Sequence, residues 1–257
     1  MNRIARIPRV LGVVAAGTLA ASLALAQGAP AERVTANVPT PRILPEHETR
    51  YAAAAALVRA GKKEEGLVQL QKLNEELRGE LAEPGVDYFC HRGNDAEMAR
   101  FVGMKAMGNA APARVVVLGV LPCNVQFSHA YMLVELERLP ESREVLERLL
   151  PMAPFNSHYK SELAHVLSML GQPLRSLSLY REAESDAEFD DKSEQAHRRA
   201  VALRGQGYAL VELQRWDEAE AAYRKSLTFE PDNRLAKGEL TFIRDQRPKA
   251  PAPQKPS

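Results

Sequence analysis

The chain is poor in the residues from which catalytic and metal-bearing sites are built. Two cysteines in 257 residues exclude a disulfide-dense scaffold. No Cys-x-x-Cys pair offers a closed zinc site or a dithiol redox centre. One tryptophan and seven phenylalanines, beside abundant Ala and Leu, suit helix-on-helix packing better than a β-sandwich. Charge of neither sign dominates: the whole chain carries +1 with 26% charged residues of mixed sign. That balance leaves no electrostatic footprint for nucleic acid. The sequence also lacks His-Glu-x-x-His, Gly-x-Ser-x-Gly, a phosphate loop ending in Gly-Lys-Ser/Thr and a dinucleotide fingerprint. Acid pairs such as Glu64-Glu65 and Asp190-Asp191 sit in charged surroundings and read as solvated. No catalytic residue, cofactor or metal is therefore expected.

Long apolar runs are missing everywhere but at the start. Met1 to Ala26 carries Arg3, Arg6 and Arg9, then an uncharged stretch from Val10 to Ala26. Ala24-Leu25-Ala26 supplies the small-x-small pattern of a signal peptidase site, predicting cleavage before Gln27. The alternative is an uncleaved N-terminal anchor, although the stretch is Ala/Gly-rich and short for a span. The pattern looks bacterial and implies a periplasmic or secreted protein, with no stable membrane insertion after cleavage. Removing its three arginines leaves the mature chain at −2. Residues 27–46, with Pro39, Pro41 and Pro45, read as a linker. Pro248, Pro251, Pro253 and Pro256 mark 248–257 as a disordered or polyproline-like tail.

What is present in quantity is helical periodicity. Ala200 to Asn233 reads AVALRGQGYALVELQRWDEAEAAYRKSLTFEPDN. Leu203, Gly207 and Leu210 share one face of a first helix by steps of three and four. A turn at Gln214-Arg215 precedes a second helix from Trp216-Asp217, with Ala219, Tyr223, Ser226 and Leu227 inward. Pro231 stops it. Gly207, Ala219-x-x-x-Tyr223 and Pro231 resemble the tetratricopeptide repeat, with Gln206 departing from its usual large apolar residue. Such a hairpin cannot bury its faces alone, so neighbours are required.

Two precede it. Residues 123–156 offer Ala130, Leu133 and Leu136, then Pro140 opening a second helix with Leu146 and Leu149. Residues 157–190 offer Leu163-Ala164, Leu167 and Leu170, then Gly171 at the turn, Tyr180 and Ala183. Ser176 stands there for the usual Ala, and Glu188 for the closing Pro. The charged stretch 191–199 is either an extended loop or a lengthened helix. A degenerate hairpin spans 47–80, with Ala54, Leu57, Gly61, Leu70 and Leu73 on the stripe and Gly66 for the small Ala. Residues 234–247 resemble a capping helix, with Leu235, Leu240, Phe242 and Ile243 covering the stack. The expected fold class is mainly all-α, a solenoid of stacked antiparallel hairpins.

Residues 81–122 do not fit the repeat. Asp87-Tyr88-Phe89-Cys90 and Arg114 to Leu118 are short apolar runs flanking a helix that Asn94-Asp95 could cap. A small β-α-β insertion and an irregular helix hairpin are both compatible with them. Cys90 and Cys123 end this region. In an oxidising compartment they are candidates for a disulfide worth about 3–4 kcal/mol; two free thiols, or a metal set with His91 and His129, are the alternatives.

The resemblance implies a concave wall of first helices that binds a protein or peptide. The residues projecting from it are Asn124, Phe127, Tyr131 and Glu135, then His158, His165 and Met169, then Arg204, Tyr208 and Glu212. Ser161 and Ser168 share the second face, while Val134, Val201 and Val211 equally well pack against adjoining hairpins. His158 and His165 lie two turns apart, about 10 Å along a helix, too far to share an ion. Three readings follow. The first is a non-enzymatic binding or scaffold module of the bacterial envelope. The second is a ligand, metal or thiol site in 81–122 using Cys90, His91 and Cys123. The third is a small-molecule or glycan binder.

Overall fold

The computed structural model describes residues 41–107 and 114–247. The signal-like segment, the linker up to residue 40 and the tail 248–257 lie outside the described residues. Helix α1 spans Pro45–Arg59 and α2 Lys63–Glu80. Strand β1 (Val86–Cys90), α3 (Asp95–Met107) and β2 (Arg114–Leu118) follow. Then come α4 (Leu121–Glu135), α5 (Leu139–Leu149), α6 (Ser157–Met169) and α7 (Pro173–Asp186). Helices α8 (Lys192–Glu212), α9 (Trp216–Phe229) and α10 (Arg234–Gln246) complete the described residues. Among the described residues the body is helical, with one small two-stranded sheet.

Four hairpins, α1–α2, α4–α5, α6–α7 and α8–α9, turn in the same way. Each passes through one left-handed residue: Gly61, Glu137, Gly171 and Gln214. In each, the next residue's N–H reaches back to a leucine carbonyl, of Leu57, Leu133, Leu167 and Leu210 respectively. This six-to-one bond with its inner five-to-two partner satisfies carbonyls that a helix end would otherwise orphan. Proline in the first turn of α5 and α7 costs nothing, because its missing N–H would have been unpaired there.

Counting from these turn residues shows why the sequence forms hairpins. Seven residues before the turn stand Ala54, Ala130, Ala164 and Gly207, all buried. Five after it stand Gly66, Ser142, Ser176 and Ala219, again all buried. Small side chains on both helices let the pair approach closely. The two serines keep their hydroxyls satisfied: Ser142 Oγ donates to the Ala130 carbonyl at 2.9 Å, and Ser176 Oγ meets Ser168 Oγ at 2.6 Å. Leu70, Leu146, Tyr180 and Tyr223 fill the next inward position of each second helix. Glu137 and Gly171 are 34 residues apart. Gly171 and Gln214 are 43 apart because 192–199 form an extra length of α8, so the charged stretch is a lengthened helix.

The region 81–122 takes the β-α-β form. Strands β1 and β2 run parallel, from Val86 opposite Arg114 to Cys90 opposite Leu118, with α3 as the crossover. A disulfide joins Cys90 at the end of β1 to Cys123 in the first turn of α4. Phe101 of α3 stacks on Phe89 of β1 at 4.5 Å. On the far side the unit is tied to the end of the third hairpin. Asn94 caps α3 and its amide donates to the Phe189 carbonyl at 2.7 Å. Arg92 bridges the buried carboxylates of Glu97 and Asp190 at 3.2 and 2.8 Å. At the other end α10 lays Ala236 and Ile243 into the core around Tyr223, and Leu240 packs beside them. Leu235 and Phe242 stay exposed, so only half of the expected capping stripe is buried.

Candidate partner-binding site

The first helices α1, α4, α6 and α8 form one wall, and the turn register fixes which side chains it shows. Six residues before each turn come Ala55, Tyr131, His165 and Tyr208. Tyr131 and Tyr208 are 45% and 46% exposed, at the same register position on two of the first helices. His165 between them is exposed too. Two residues before the turn come Arg59, Glu135, Met169 and Glu212, all exposed.

Deeper on the wall the rings are organised. Phe127 stacks on Tyr159 at 4.7 Å and meets His158 at 4.7 Å, with Tyr131 one ring further out at 6.5 Å. Asn124 accepts the Tyr159 hydroxyl at 3.1 Å, which locks that ring. Arg198 of α8 donates to His158 Nδ1 at 2.9 Å, so the imidazole proton belongs on Nε2. Burial, and then the Arg198 charge, hold the His158 pKa down to about 4. The ring is thus a neutral polar surface at physiological pH.

Several of the expected projecting residues are engaged within the chain. Glu135 accepts from Lys63 of the first hairpin at 2.8 Å. Arg204 is claimed by Glu230, which also takes His197 at 2.6 Å, so it is less available than Tyr131 or Tyr208. Ser161 is buried, and Ser168 is spent on Ser176. Val134 and Val211 pack into the core. Met169, His165, Tyr208 and Glu212 remain open.

The first hairpin's contribution was not expected from the sequence. A pocket of about 300 Å³ opens between α1, α4 and α6. Tyr51, Ala55, Val58 and Arg59 of α1 form one side. Phe127 and Tyr131 of α4 form the other, and His158 closes the end. Its surface is almost wholly apolar, and Arg59 is the one charged side chain lining it. Tyr51 is held in place by its hydroxyl on Ser128 Oγ at 2.9 Å. The signal that could have found it is Gly61: counting back from that glycine as a turn residue puts Tyr51, Ala55 and Arg59 in register with Phe127, Tyr131 and Glu135.

The β-α-β unit offers less chemistry than its cysteines suggested. Both sulfurs are spent on the disulfide, and neither thiol is free. His129 instead faces the Asn74 amide at 3.0 Å. Among the described residues no group of three His, Cys, Asp or Glu side chains is placed to hold a metal.

Sequence comparison finds no matching family model and no matching curated protein. Structural comparison does find likenesses. MamA from Desulfovibrio magneticus RS-1 (residues 41 to the end) matches at a TM-score of 0.53 and 14% identity, over 79% of this chain and 88% of that one. A putative kinesin light chain of Podosopora anserina with nearly identical TPR-like repeats matches at 0.50 and 13%, over 78% and 86%. The fold is that of the tetratricopeptide repeats. At these identities the likeness concerns the arrangement of hairpins and carries nothing about a partner. The tetratricopeptide hairpins here are interrupted after the first by the β-α-β unit and lengthened before the last. Among the described residues no helix is long and apolar enough to cross a membrane.

Proposed function

We propose that this chain is a non-enzymatic interaction module of the bacterial cell envelope, exported through its N-terminal segment. It binds a segment of a partner protein along the concave wall of its first helices. The observation that carries this reading is the row of open side chains at one register position, Tyr131, His165 and Tyr208, beside the apolar pocket at Ala55. Aromatic side chains left nearly half exposed on a folded helix cost solvation, and interaction surfaces are where such residues concentrate. The bonding of Tyr51, Asn124 and Arg198 behind them holds the wall rigid, which lowers the entropy cost of binding. The disulfide supports an oxidising compartment, in keeping with the signal-like start.

The test is photo-cross-linking in intact cells. A benzophenone amino acid at Tyr131 or Tyr208 should capture one protein in common. The same group at Lys225, exposed on α9, should not. Equal capture from both faces, or recovery unchanged in the Tyr131→Ala/Tyr208→Ala variant, would remove the wall from the account. Export is tested separately by the mass of the protein from the envelope fraction, which should begin at Gln27.

A further inference from the structure

The pocket between α1, α4 and α6 is lined by the smallest side chain of the row. At the position where the later hairpins carry Tyr131, His165 and Tyr208, the first carries Ala55. The opening beside Ala55 is walled by Tyr51, Val58, Phe127 and Tyr131. Its volume of about 300 Å³ is roughly twice the 150 Å³ that holds a benzene ring in a protein interior, enough for one large side chain. The neighbouring first helix α4 carries a single charge, Glu135, and that charge is satisfied by Lys63. Arg59, exposed at the rim in the last turn of α1, has no ion pair among the described residues.

We infer that this pocket is the anchor subsite of the partner-binding wall: it takes one aromatic or branched aliphatic side chain of the partner polypeptide, whose neighbouring carboxylate pairs with Arg59. The inference rests on the wall reading proposed above and adds the chemistry of its occupant. The open but largely apolar lining favours an apolar side chain over a charged one, whose desolvation it would leave mostly uncompensated. An uncompensated guanidinium at the mouth selects an acidic residue beside the anchor. A partner segment would therefore read as a large apolar residue with Asp or Glu within about three positions, the spacing that reaches from floor to rim.

A random dodecapeptide display library panned against the full chain tests this without knowledge of the natural partner. Enriched peptides should share the apolar–acidic pair. Ala55→Trp, which enlarges the side chain beside the opening, should lower their binding by about tenfold or more. Arg59→Glu should shift the flanking preference from Asp/Glu to Lys/Arg, a reversal that a merely structural role would not produce. Arg59 is exposed, so this second variant keeps the test decisive should Ala55→Trp fold poorly. Peptides without the pair, no enrichment at all, or binding indifferent to both substitutions would overturn the subsite. Peptides that ignore Ala55→Trp but are lost with Tyr131→Ala/Tyr208→Ala would sink the subsite and leave the wall standing. Peptides indifferent to all of these would sink both.

Discussion

Gly205 lies flat against the ring of Tyr180, so close that a Cβ at this glycine would fall 2.2 Å from two ring carbons. Two residues on, Gly207 meets Tyr223 in the same manner, at 2.6 Å. Helix α8 is thus clasped between one tyrosine of α7 and one of α9, and its glycines serve close approach. The backbone there is ordinary helix, without positive φ.

Gly205→Ala and Gly207→Ala should therefore destabilise, although alanine is the better helix former. The propensity gain is about 1 kcal/mol, whereas forcing extra atoms into a packed interface costs about 1–3 kcal/mol. Tyr180 and Tyr223 are buried and cannot swing aside freely. Urea melts should show a net loss of roughly 1 kcal/mol for either variant. The loss should shrink when Gly205→Ala is combined with Tyr180→Leu, as expected of groups that touch. A stabilised Gly205→Ala protein would contradict the clasp.

The hairpins were legible in the sequence because their requirements are local. A small residue, a leucine three positions later and a breaker recur, and the alanines at 54, 130 and 164 sit where that pattern puts them. The turns were less legible. Glu137 and Gln214 take the left-handed conformation usually signalled by glycine, and only the bonds back to Leu133 and Leu210 explain it. The strands of 81–122 could not be told from helix fragments, since five-residue apolar runs carry no period; pairing with each other decides the matter. Arg204 projects as expected of its helix position, but Glu230 at the end of α9 reaches it, a tertiary event. The pocket was hidden because its walls come from separate helices that only tertiary packing brings together.

The disulfide closes 33 residues between β1 and α4, and it tethers a two-stranded sheet too small to be stable alone. In the chain-entropy account such a loop contributes about 3–4 kcal/mol. Cys90→Ser/Cys123→Ser should lower the unfolding free energy obtained from urea melts by about that amount at 25 °C, with a lower midpoint, while far-UV dichroism stays helical. Thiol titration of the native protein should find no free sulfhydryl before reduction. An unchanged midpoint after reduction would show the link to be energetically idle.

Arg92 is the cation that permits Glu97 and Asp190 to be buried together between α3 and the start of α8. Arg92→Ala leaves two carboxylates without a counter-charge, and removing one partner from a buried pair costs about 3 kcal/mol or more. Burial already pushes the Glu97 carboxyl above its ordinary range, so the variant should take up a proton there. Adding Glu97→Gln to Arg92→Ala should recover part of the loss, because the uncompensated charge is removed. A double variant less stable than Arg92→Ala would mean that Glu97 contributes through packing and not through its charge.

His129 gives the fold a defined acid sensitivity. Burial is the main cause of its pKa falling to about 4, and Arg138 and Arg148 lower it further against the opposing pull of Glu75 and Glu141. Its Nδ1 lies 3.0 Å from the Asn74 amide, a contact suited to the neutral ring. In the unfolded chain the same imidazole takes up its proton at about pH 6.5, so between about 6.5 and 4 the unfolded state binds more protons than the native one. The stabilisation is complete above that window and is lost as pH falls through it, on the order of 2 kcal/mol once solvent screening is allowed for. His129→Gln retains a hydrogen-bonding partner for Asn74 without the titration. Urea midpoints near pH 7 and about pH 4.5 should therefore differ more in the natural protein than in the variant, with His158, His165 and the shifted carboxylates supplying the slope that remains. Equal pH dependence in the two proteins would mean that the proton lost from His129 on folding is restored by a rearrangement, and the contact with Asn74 would then have to open in acid.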